Sequence, residues 1–62
     1  MTDEEVVKAK WPDAYTFYNH FGLCEILVDS IVIGEYWGGA GCMPKAWADA
    51  ARRIRESERK DG

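Results

Sequence analysis

Tyr15-Thr16-Phe17-Tyr18-Asn19-His20-Phe21-Gly22-Leu23-Cys24-Glu25-Ile26-Leu27-Val28-Asp29-Ser30-Ile31-Val32-Ile33-Gly34-Glu35 decides the fold. Aromatic and β-branched residues fill it, as they do in strands. Two turn signals, Phe21-Gly22 and Asp29-Ser30, divide it. The pattern predicts three strands, over about 15–20, 23–28 and 31–37, paired as an antiparallel meander. A two-residue turn at Phe21-Gly22 sets Asn19 opposite Cys24, Phe17 opposite Ile26 and Tyr15 opposite Val28. A second at Asp29-Ser30 sets Val28 opposite Ile31 and Ile26 opposite Ile33. One face of that sheet is apolar around Ile26, with Glu35 at its rim. The other carries Tyr18, His20, Leu23, Glu25, Leu27, Val32 and Tyr36.

Working outward, residues 2–11 read as a short helix. Thr2 caps it, Glu5 three residues on closes a capping box, and Asp3, Glu4 and Glu5 suit the positive end of the helix dipole. Val7 and Trp11 share one side, and Pro12 ends the helix. Beyond the strands, residues 38–43 form a glycine-rich loop, and a second helix is expected over about 44–58. Pro44 sits in its first turn. Trp47, Ala50, Ala51 and Ile54 form one apolar stripe, after which the tail has no apolar anchor and should fray. Each helix has a single apolar side, so both belong on the apolar face of the sheet. The expected fold is a single α+β domain, α-β-β-β-α, in two layers.

A chain of 62 residues buries only about 60% of its unfolded surface, so its stability leans on its eight aromatic side chains. So small a core has little room for the deep, dry pocket that catalysis favours, and an enzyme is not expected. No apolar run reaches the roughly 20 residues a membrane span needs, and the acidic start does not resemble a signal peptide. The expected location is therefore the cytoplasm, with Cys24 and Cys42 as free thiols. The net charge of −3 is unevenly spread. Residues 1–35 hold seven acids against Lys8 and Lys10, whereas arginines begin only at position 52.

Candidate chemistry is thin. His20, Cys24 and Cys42 are one ligand short of a closed zinc site, and no third group orients a Cys–His pair for nucleophilic attack. The loop Gly38-Gly39-Ala40-Gly41 lacks the glycine-lysine step of a phosphate-binding loop. The cluster Arg52, Arg53, Arg55, Arg59 and Lys60 suits a helix C-terminus without invoking nucleic acid. Neither metal nor cofactor is expected. The uncovered sheet face is more informative, because Leu, Val and Tyr around a carboxylate make an interface composition.

Trp11-Pro12-Asp13-Ala14-Tyr15 and Ala46-Trp47-Ala48-Asp49-Ala50-Ala51-Arg52-Arg53-Ile54 together resemble a group of short phage and prophage proteins. In these, a Pro-Asp-Ala turn follows a first helix and an Ala-Trp-x-x-Ala-Ala helix closes the chain. The loop from Tyr36 to Met43 is bulkier than in that group and has no Ser or Thr before Pro44. Small acidic phage proteins include anti-CRISPR proteins, some of which set carboxylates where a DNA-binding groove expects phosphates. The resemblance implies a non-enzymatic accessory protein in the cytoplasm of a host bacterium, inhibiting a host protein such as a CRISPR effector. The residues expected to touch that partner are Asp13, Tyr18, Glu25, Leu27, Asp29, Val32, Tyr36 and Trp37. The alternative is a structural or regulatory phage protein that homodimerises through the same sheet face.

Overall fold

A computed structural model describes residues 2–39 and 41–60. The order is α1 (Asp3–Lys10), β1 (Tyr15–Tyr18), β2 (Leu23–Val28), β3 (Ile31–Trp37) and α2 (Met43–Lys60). The strands form one antiparallel sheet in the order β1-β2-β3, so the α+β meander expected from the sequence is the fold. Ala40, in the glycine-rich loop, lies outside the described residues.

The capping box of α1 forms as expected. The Glu5 amide donates to Thr2 Oγ1 at 3.2 Å, and the Thr2 amide donates to Glu5 Oε1 at 3.2 Å. The chain then turns through Trp11-Pro12-Asp13-Ala14, where the Ala14 amide donates to the Trp11 carbonyl. α2 packs against β3 and β2, and α1 packs against α2. Val7 of α1, Cys24, Ile26 and Val28 of β2, and Ala46, Trp47, Ala50, Ala51 and Ile54 of α2 form one buried core. Ile26 lies at its centre, fully buried, as its place in the middle strand requires.

The register differs from the expected one by a single residue. Phe17 stands opposite Glu25 rather than Ile26, and Tyr15 opposite Leu27 rather than Val28. The cause is the first turn. His20-Phe21-Gly22 forms a three-residue hairpin loop, closed by the Asn19 amide donating to the Leu23 carbonyl. The Asn19 side-chain oxygen accepts from the amides of Phe21 at 2.8 Å and Leu23 at 3.1 Å, and Gly22 takes φ +91°. A turn followed by a left-handed glycine is the usual geometry for a loop of that length. The second turn is the expected one. Asp29 and Ser30 take φ +52° and +67°, and Val28 pairs with Ile31. A bulge at Ile33 then moves Gly34, instead of Ile33, opposite Ile26.

That bulge lets the helix approach. A Cβ on Gly34 would lie 2.6 Å from Ala50 Cβ and 2.7 Å from the Ala50 amide nitrogen, so glycine is needed where α2 crosses β3. The outer edge of β3 is occupied nearby, the Glu35 amide donating to Asp49 Oδ2 at 3.0 Å. Blocking an edge strand in this way removes a template for unwanted strand pairing.

The cysteines correct a second expectation. Cys24 is buried, but it is joined to Cys42 by a disulfide, so neither is a free thiol. The bridge ties the start of β2 to the residue just before α2. The C-terminal tail is a third correction. α2 stays helical through Lys60, held by the Arg52–Glu56 pair at 2.9 Å and by Lys10–Glu58 at 4.0 Å across to α1.

Candidate binding face

Residues paired across an antiparallel sheet share a face, so the register fixes both faces. The helix-facing side carries Thr16-Ile26-Gly34, Tyr18-Cys24-Tyr36 and Val28-Ile31. The opposite side carries Tyr15-Leu27-Val32, Phe17-Glu25-Glu35 and Leu23-Trp37. α2 packs on the first side, with α1 held against α2, and no described helix covers the second.

Four of the expected contact residues, Glu25, Leu27, Val32 and Trp37, stand together on this open face. Tyr18 and Tyr36 do not. They flank Cys24 on the helix side, where Lys45 of α2 lies 5.1 Å from the Tyr36 ring centre. Tyr18 is nonetheless 52% exposed. Asp13 and Asp29 are exposed at one end of the sheet, Asp13 in the turn before β1 and Asp29 in the β2–β3 turn. His20 is exposed in the first hairpin loop. The register adds Tyr15, Phe17 and Glu35 to the face beside Leu23, which the sequence already placed there and which is buried, with Tyr15, Phe17 and Trp37 at 46%, 53% and 61% exposure. Asn19 with Gly22 three residues later was the available signal. Asn at the first position of a turn and Gly at the fourth favours the longer loop.

The electrostatics are lopsided. All eight Lys and Arg residues lie in the two helices' sequence ranges, whereas residues 11–42 contain Asp13, Glu25, Asp29 and Glu35 and no Lys or Arg. Glu25 and Glu35 are directly opposed on the open face. Arg53 is 3.9 Å from Glu35 but closer, 3.0 Å, to Asp49. Asp49 is the hub of α2. Partial burial pushes its carboxyl upward, but the Glu35 amide and the Arg52 and Arg53 guanidiniums outweigh that and hold it below the usual range.

Elsewhere the surface is sparse in chemistry. A shallow groove of about 480 Å³ runs between Thr2, Asp3 and Glu4 of the α1 start and Met43, Pro44 and Trp47 of α2. Among the described residues, no group of three His, Cys, Asp or Glu side chains is arranged to hold a metal. With both sulfurs in the disulfide, neither is available as a nucleophile. Among the described residues, no helix is long and apolar enough to cross a membrane. No family model, curated protein or solved structure matches the chain.

Proposed function

We propose that this chain is a non-enzymatic binding domain that docks a protein partner on its open sheet face. The observation that carries the reading is the composition of that face. Tyr15, Phe17, Trp37, Leu27 and Val32 stand on one sheet face around Glu25 and Glu35, with no covering helix among the described residues. Surface patches of this kind mark interaction sites, and aromatic side chains supply most of the contact energy in them. In the phage setting that the sequence resemblance implies, the partner is a host protein and docking inhibits it, a CRISPR effector being such a target. Only four carboxylates belong to the sheet and its turns, far below the one charge per ~1.7 Å of duplex DNA. The contact therefore rests on apolar area more than on imitation of a phosphate backbone.

The second reading, a homodimer through the same face, is favoured by its apolar content. It is opposed by Glu25 and Glu35, which a two-fold interface would bring up against their own copies. Sedimentation decides between the two: a monomer is expected, and a dimer dispersed by Leu27→Glu would establish the alternative. For the partner itself, tagged protein is used for capture beside Leu27→Glu, Trp37→Ala and, on the helix side, Arg59→Glu. A partner lost with the first two and kept by the third supports the reading. One kept by both open-face variants refutes it.

The disulfide bears on where this happens. Such bridges persist in oxidising compartments and are rare in the cytosol. An inhibitor in a host cytoplasm would work with Cys24 and Cys42 reduced; a chain acting elsewhere would keep the bridge. Rapid alkylation of thiols in expressing cells, read by mass, separates the two.

A further inference from the structure

We infer, resting on the docking reading above, that the partner is basic: a protein segment carrying Arg or Lys between apolar side chains, laid across the Phe17-Glu25-Glu35 row. Two carboxylates directly opposite one another weaken a sheet. Here they stand in the middle of an otherwise apolar face. No ion pair engages Glu25 among the described residues, and the one base near Glu35, Arg53, is shared with Asp49. A cation placed between Glu25 and Glu35 relieves that repulsion. Phe17 in the same row, with Tyr15 and Trp37 in the adjoining rows, offers ring faces that attract a guanidinium or ammonium group.

The rest of the molecule points the same way. With every Lys and Arg on the helices, the sheet and its turns present only negative charge. Asp13 and Asp29 extend that field to the end of the face where Tyr15 and Leu27 pair. Such a field speeds encounter with a basic surface and repels nucleic acid and anionic membranes. It also repels a second copy approaching with the same face. Complementary charge and apolar contact thus select the same occupant, and that occupant is neither of the acidic alternatives.

The test uses ¹⁵N-labelled protein with its disulfide intact and two synthetic nine-residue peptides. One alternates leucine with arginine. The other replaces each arginine by citrulline, which keeps the shape and hydrogen-bond donors but removes the charge. The arginine peptide should shift the amide signals of Phe17, Glu25, Glu35 and Trp37. It should bind about tenfold more tightly than the citrulline peptide, a difference equivalent to ~1.4 kcal/mol. The Glu25→Gln, Glu35→Gln double variant should erase the difference, as should high salt. Equal affinity for the two peptides at the open face would overturn the charge inference and leave the docking reading standing. If neither peptide shifts that face, or the shifts fall on the helices, both readings fail. Concentration-dependent shifts of the same amides without peptide would make a second copy the occupant.

Discussion

Gly34→Ala tests the packing on which the two faces depend. The added Cβ would lie 2.6 Å from Ala50 Cβ, 2.7 Å from its amide nitrogen and 2.8 Å from its Cα. Carbon atoms in contact settle at about 3.5–4.0 Å, so α2 must retreat by roughly an ångström. Two of the three opposing atoms are backbone, which cannot rotate away. The retreat would loosen Ala46, Trp47 and Ala51 together and lengthen the 3.0 Å bond from the Glu35 amide to Asp49. Overpacking of this kind costs about 1–3 kcal/mol, and the alanine returns ~0.4–1 kcal/mol by restricting the unfolded chain. A net loss of roughly 1–2 kcal/mol is a large share of the roughly 3–9 kcal/mol expected for a domain of this length. Urea unfolding, followed by tryptophan fluorescence, should show the midpoint falling by ~1 M or more, given a slope near 1 kcal/mol per molar. In the alternative register, with Ile33 opposite Ile26, Gly34 would point away from α2 and the alanine would be nearly neutral. A midpoint equal to the parent's would therefore refute the bulge and the face assignments that follow from it.

Three further outcomes are expected. Reducing the Cys24–Cys42 bridge, or changing Cys42→Ala, should cost ~3 kcal/mol, since it frees a closed loop of 18 residues' separation; an unchanged melting temperature under reductant would show that the bridge does not form. Ser30→Gly should raise the melting temperature, because serine at φ +67° bears a left-handed penalty of about 1–2 kcal/mol that glycine avoids; a fall would contradict the turn geometry. Asp49 has a folded-state pKa below its unfolded one, so its contribution is full above the unfolded value, ~3.9, and fades as pH falls through the folded value. The stability gap between parent and Asp49→Asn should accordingly be widest at neutral pH and close below about pH 4, and a gap that widens on acidification would reverse the assigned sign.

The helices were legible because their signals are local. Thr2 with Glu5 and the Trp47-Ala50-Ala51-Ile54 stripe each lie within a few residues and need no partner to be read. The sheet's strands and order were legible too, since the turns fall between apolar runs. Its faces were not, because side chains alternate with period two and one extra residue reverses every assignment. The Asn19–Gly22 loop supplied one such residue and the bulge at Ile33 another. The first exchanged Tyr18 for Tyr15 and Phe17 on the open face; the second carried Tyr36 to the helix side and Glu35 to the open side. β2, between the two irregularities, kept its expected faces, which is why Glu25, Leu27 and buried Ile26 stand where the pattern placed them. The disulfide was not legible. It depends on the glycine loop folding back, with the Gly38 and Gly39 amides donating to the Gly22 carbonyl, a contact with no local signal.

These two irregularities also shape what the domain presents. The bulge exposes a glycine to α2, and the close approach that follows brings Asp49 onto the Glu35 amide at the β3 edge. One backbone donor at the β3 edge is thereby occupied, and the other edge strand, β1, is only four residues long. A small sheet so limited at its edges does not readily grow by strand addition. On its open face the three-residue turn has gathered Tyr15 and Phe17 beside Leu27 and Glu25. An apolar face of this size would invite self-association were it uncharged. Glu25 opposite Glu35 makes that costly while leaving the face attractive to a cation. On the docking reading proposed above, the same pair that weakens the isolated sheet would favour a basic partner over a second copy.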